Sequence, residues 1–80
     1  MNIISKGHDG NYILMHKNQP VQAGQVITNH RGTYIVLGGS APHKLGSTGR
    51  VNVRDGIVKH PAVSDQSFFP GVIDCEWVKQ

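Results

Sequence analysis

Arg50-Val51-Asn52-Val53-Arg54 alternates residue by residue. Val51 and Val53 fall on one side of an extended chain, and Arg50, Asn52 and Arg54 fall on the other. That is the period-two pattern of a strand with one face in a core and one in water. Downstream, Asp55-Gly56 is a tight-turn dipeptide, followed by the short apolar run Ile57-Val58-Lys59. His60 to Gln66 reads as irregular. Ser67-Phe68-Phe69 is a further short extended piece, ended by Pro70-Gly71. Val72 to Val78 reads as the last strand, with Ile73, Cys75 and Trp77 on one alternating set.

Working upstream, Gly38 to Gly49 reads as the longest irregular segment. Thr33 to Leu37 and Gln25 to Thr28 are β-branched runs joined by Asn29-His30-Arg31-Gly32, a good hairpin signal. Tyr12 to His16 and Asn2 to Ser5 complete the set, with Gly- and Asn-rich turns between them. Ten glycines and four prolines break the chain too often for helices, and no helical periodicity persists over about ten residues. Short strands at this spacing predict a small all-β fold: a five- or six-stranded barrel, SH3-like ahead of OB-like. Closing the sheet removes exposed edges, which matters for a small domain.

Eighty residues make one domain, taken as 1–80. With 38% hydrophobic and 16% charged residues, the composition suits a compact core and argues against disorder. The formal charge of +3 favours anionic partners without the dense basic clusters of strong nucleic-acid binders. A single cysteine, Cys75, excludes an intrachain disulfide. Flanked by Asp74 and Glu76 in an apolar stretch, it reads as a buried structural thiol. No run approaches the roughly 20 apolar residues of a membrane span. These features predict a cytoplasmic protein that does not engage membranes.

The chemistry concentrates in Gly38-Gly39-Ser40-Ala41-Pro42-His43-Lys44-Leu45-Gly46-Ser47-Thr48-Gly49-Arg50. Glycines allow successive amides to turn toward an anion. Ser47 and Thr48 can donate to phosphate oxygens, while Lys44 and Arg50 supply charge. The order differs from a nucleotide-hydrolase phosphate loop, in which Gly-Lys-Ser/Thr runs into a helix. The expected ligand-binding residues are therefore His43, Lys44, Ser47, Thr48, Gly49 and Arg50. An ordered loop without a ligand, or a protein-contact loop, would also use such residues. Phe68 and Phe69 are the candidate protein-contact residues, because adjacent side chains on an extended segment face opposite ways.

No metal site is expected, since none of His8, His16, His30, His43 and His60 lies within about five residues of another. No catalytic set is expected either: Ser47, Thr48 and Cys75 lack a paired base, and the acids offer no general-acid pair. The reading is a binding protein without a cofactor.

The string Ala41-Pro42-His43-Lys44-Leu45-Gly46-Ser47-Thr48-Gly49-Arg50-Val51 resembles a segment of small uncharacterised proteins of tailed bacteriophages. The likeness extends to Arg31-Gly32-Thr33-Tyr34, Phe68-Phe69-Pro70-Gly71-Val72 and Glu76-Trp77-Val78. Those proteins usually carry Pro where Leu45 stands here. The resemblance implies an accessory protein of host-takeover or anti-defence type, made in the cytoplasm of an infected bacterium. Its ligand would be phosphate-bearing: a nucleotide, a signalling nucleotide or nucleic acid. The alternative is a protein–protein module, either an inhibitor of a host enzyme or a minor virion component.

Overall fold

The computed structural model describes residues 1–55 and 65–80. The expected Asp55-Gly56 turn, the Ile57–Lys59 strand and most of the His60–Gln66 stretch lie outside the described residues. Among the described residues there are eight short strands: β1 (Ile4–Gly7), β2 (Gly10–His16), β3 (Gln19–Pro20), β4 (Val26–Asn29), β5 (Gly32–Ser40), β6 (Arg50–Asp55), β7 (Gln66–Phe68) and β8 (Cys75–Lys79). The only helical element among the described residues is a 3₁₀ turn, Pro70–Ile73. The fold is all-β, and its strands pair antiparallel in two sheets.

In the first sheet β2 is central. β8 runs along one edge, and β1 and β3 share the other. The second sheet has the order β4-β5-β6-β7. The described residues alone thus hold eight strands where five or six were expected. Among the described residues they form two ladders, not one closed ring.

Three further boundaries differ from the sequence reading. The first strand starts at Ile4, while Asn2 makes an isolated bridge to Gln22. β5 continues through Gly38 to Ser40, where an irregular segment was expected. Leu37 is the extra residue of a bulge between Val36 and Gly38. The bulge turns Gly39 inward, opposite Val51. Glycine has low strand propensity, so sequence reading places a break there, but packing requires it. A Cβ at Gly39 would collide with the Arg50 carbonyl and lie 2.9 Å from Trp77 Cζ2. Finally, Val72 and Ile73 belong to the 3₁₀ turn rather than the last strand. Pro70 sits in its first turn, and Asp74 closes it in the left-handed region at φ 60°.

One core joins the two sheets. Leu14, Val36, Val51, Val53 and Ile73 are fully buried, and Ile27, Cys75 and Trp77 pack with them. Val51 and Val53 take the core face of β6 while Arg50, Asn52 and Arg54 face out, as their alternation requires. Trp77 Nε1–H donates to the Arg50 carbonyl at 3.1 Å, linking β8 to the start of β6. A buried indole N–H needs such a partner.

Candidate functional site

The 41–49 connection leaves β5 and enters β6. Its stem is fixed to the first hairpin: Ala41 N–H donates to Ser5 Oγ at 3.0 Å, and His8 N–H donates to the Pro42 carbonyl at 2.9 Å. Ala41 and Pro42 are buried. The chain then turns over Lys44–Ser47, closed by Ser47 N–H to the Lys44 carbonyl at 3.1 Å. Gly46 holds φ 87° at the third position, whereas Leu45 has no positive φ, which makes this a type II turn. His43, Lys44 and Leu45 stand exposed at its tip.

Ser47 and Thr48 bond locally. Ser47 Oγ accepts from Gly49 N–H at 3.2 Å, and Thr48 Oγ1 donates to the Gly49 carbonyl at 3.4 Å. Gly49 is buried with φ 74°, and a Cβ there would come within 2.7 Å of Trp77 Cδ1. Gly39 and Gly49 thus form the seat of the indole ring. The Gly49 amide faces Ser47 and does not join an open anion nest.

Arg50 goes elsewhere. Its side chain lies on the outer face of the second sheet, where Nε and Nη2 donate to Ser67 Oγ and the Ser67 carbonyl, both at 2.8 Å. The guanidinium carbon sits 4.8 Å from the centre of the Phe69 ring, a cation–π arrangement. Of the six expected ligand residues, the fold brings Ser47, Thr48 and Gly49 together, leaves His43 and Lys44 at the tip, and turns Arg50 toward β7. The two phenylalanines diverge as an extended segment demands. Phe68 packs edge-on against Tyr34, with ring centres 5.9 Å apart, while Phe69 is 61% exposed.

A cleft of about 380 Å³ opens beside this region. Pro42, Ser47 and Thr48 form one wall; Pro70, Gly71 and β8 residues 75–77 form the other. The one charged residue lining it is Glu76. Among the described residues no cation lies within ion-pair distance of that carboxylate. Glu76 is exposed and Trp77, on the alternating set with Ile73 and Cys75, is buried, yet both residues also line the cleft. The prolines at 42 and 70 were the available signal, because each fixes a rigid corner.

Cys75 also lines the cleft, but as an inert group. Burial, with a smaller contribution from Asp74, pushes its thiol up to about 12. Its Sγ lies 3.5 Å from the Ile73 carbonyl. A thiol that stays protonated at neutral pH is a poor nucleophile.

In the β1–β2 turn, next to His8, Asp9 ties the fold. It accepts from Tyr12 Oη at 2.6 Å and pairs with Lys79 Nζ at 3.2 Å. The tyrosine hydrogen bond, with Lys79 and His8 nearby, holds the Asp9 carboxyl below its ordinary range, while the same bond and burial raise Tyr12 above its own.

Among the described residues no group of three His, Cys, Asp or Glu side chains gathers as metal ligands would. No helix there is long and apolar enough to cross a membrane. Compared with known proteins, the chain matches no family model, no curated protein and no solved structure.

Proposed function

We propose that this chain is a binding module, not an enzyme, and that it recognises a protein partner through the surface around Phe69, Arg50 and the neighbouring cleft. One observation carries this reading: Phe69, next in the chain to the cleft-lining Pro70, stands exposed with the Arg50 guanidinium already seated on its ring. A domain with few large side chains has every reason to bury a phenylalanine. Aromatic–arginine clusters are the side chains that dominate binding energy at protein interfaces. Arg50 is also pre-ordered by Ser67, so little rotamer freedom remains to be lost on association. The resemblance to small tailed-phage proteins supports a partner inside an infected bacterium and a host-directed accessory role.

The same reading takes the two sheets as halves of a bent, SH3-like barrel. Segment 22–25 supports it, because it pairs both ways. Asn2 bridges to Gln22 on the first-sheet side. Gly24 N–H donates to the Val36 carbonyl at 2.7 Å on the second-sheet side.

A phosphate-bearing ligand is the second reading. It is favoured by the exposed His43 and Lys44, and by the lack of an acidic partner for Lys44 or Arg50 among the described residues. Against it stand the local satisfaction of Ser47 and the carboxylate of Glu76 in the cleft.

Affinity capture from a lysate of the bacterial host separates the two when run with wild type, Phe69→Ala and Lys44→Ala. The protein reading predicts a captured species that weakens about tenfold or more with Phe69→Ala, the scale of an interface hot spot. Equal capture by wild type and a folded Phe69→Ala variant rejects it. A thermal shift with nucleotides or short oligonucleotides that disappears in Lys44→Ala selects the phosphate reading instead.

A further inference from the structure

The free edge of β8 has a defined hydrogen-bonding phase. Gln80 N–H donates to the Asn11 carbonyl at 2.9 Å, and the register places Val78 opposite Ile13 and Glu76 opposite Met15. Bonded pairs recur every second residue in an antiparallel ladder. Glu76 and Val78 therefore spend their main-chain groups on β2. Cys75, Trp77 and Lys79 turn theirs the other way, and among the described residues β8 has no second strand neighbour. Among the described edge strands β8 is also the longest, and it carries neither the proline nor the bulge that commonly blunts an edge.

The cleft lies along this edge. It is lined by three consecutive β8 residues, Cys75, Glu76 and Trp77. Successive side chains point to opposite faces of a strand, so one cleft can touch all three only by lying against the strand's side. Across the gap, Pro42, Ser47 and Thr48 form a wall. With these residues standing beside the strand, the gap suits a single extended chain better than the edge of a second folded copy. Proline lacks an N–H, so Pro42 and Pro70 do not compete as backbone donors, and Glu76 gives the groove one negative charge that no cation pairs among the described residues.

Building on the protein-binding reading above, we infer that the cleft takes one extended segment of the partner as an additional strand on β8. That segment carries a Lys or Arg opposite Glu76. Main-chain bonds to Cys75, Trp77 and Lys79 supply affinity, and alternate side chains supply selectivity, as in other strand-addition complexes.

The test uses the full chain and a random library of 12-residue peptides displayed for selection. Enriched peptides should carry a basic residue in a fixed place within an alternating pattern. Amide-resolved hydrogen exchange should show Cys75, Trp77 and Lys79 becoming protected when a selected peptide is added. Glu76→Gln should weaken that peptide two- to fivefold, the range for an exposed ion pair. Thr48→Arg, which fills the groove from its far wall, should weaken it more than tenfold while leaving the melting temperature in place. No enrichment, or enrichment of peptides that bind without protecting these amides, overturns strand addition. Peptides that depend on Phe69 and Arg50 but not on Glu76 or Thr48 overturn it while leaving the protein-binding reading intact. A concentration-dependent dimer whose protected amides are these three replaces the peptide with a second copy of the chain.

Discussion

Trp77 is the residue on which most of the architecture turns. It fills the space between the sheets, lies over Gly39 and Gly49, and donates to the carbonyl of Arg50. Trp77→Ala should cost about 3–5 kcal/mol in chemical denaturation, the usual loss for a large core aromatic. Gly49→Ala should cost about 2–4 kcal/mol in the same measurement, because the added methyl meets Trp77 and the backbone already has φ 74°. A Gly49→Ala variant of unchanged stability would mean that the indole is not seated there. The inward position of Trp77 was legible in its alternation with Ile73 and Cys75. Its glycine seat was not, because that depends on residues 28 and 38 positions away meeting across the core. Arg50 gives the converse lesson. Its strand phase was legible, but its bonds to Ser67 and its place over Phe69 were not. Asp9 sets a pH dependence. Its folded-state carboxyl titrates below the ordinary value of 3.8, so its contribution is complete above that value and is lost as pH falls through the folded-state pKa. Acid unfolding of Asp9→Asn should therefore be shallower than that of wild type, as followed by far-ultraviolet circular dichroism.

At the level of elements, turns decide where sequence reading succeeds. The Lys44–Ser47 turn places Leu45 at the second position of a type II turn, where proline is favoured. Leu45 is 91% exposed, so its side chain contributes little packing. Leu45→Pro should stabilise the fold by about 0.4–1 kcal/mol, mainly by restricting the unfolded chain, and a calorimetric melt will check it. A fall in melting temperature would show that the turn needs the Leu45 amide. β8 makes a second prediction. In the free protein, Glu76 and Val78 amides should exchange slowly, and Cys75 and Lys79 amides quickly, because only the first pair is bonded into the ladder. Uniform protection along β8 would mean that its edge is already covered. The extension of β5 to Ser40 was hidden because two adjacent glycines resemble a break. The bulge before them is settled by a partner strand and not by local preference.

Across the whole molecule, the all-β class was legible from the dense turn residues and from Val51 and Val53, since both signals are local. The division into two sheets was not, because it depends on β8 travelling the length of the chain to pair with β2. The shared core of Leu14, Val36, Val51 and Ile73 makes neither sheet independent of the other. Thermal unfolding should accordingly be one cooperative transition, with calorimetric and van't Hoff enthalpies equal. Two separable transitions would contradict a common core. The indole seated between the sheets has an optical consequence as well. It is the chain's one tryptophan, 8% exposed, hydrogen-bonded to the main chain, and it lines the cleft. Its fluorescence is therefore a reporter built into the cleft. Emission should be blue-shifted and weakly quenched by iodide in the free protein, and any occupant of the cleft should change its intensity without an attached dye.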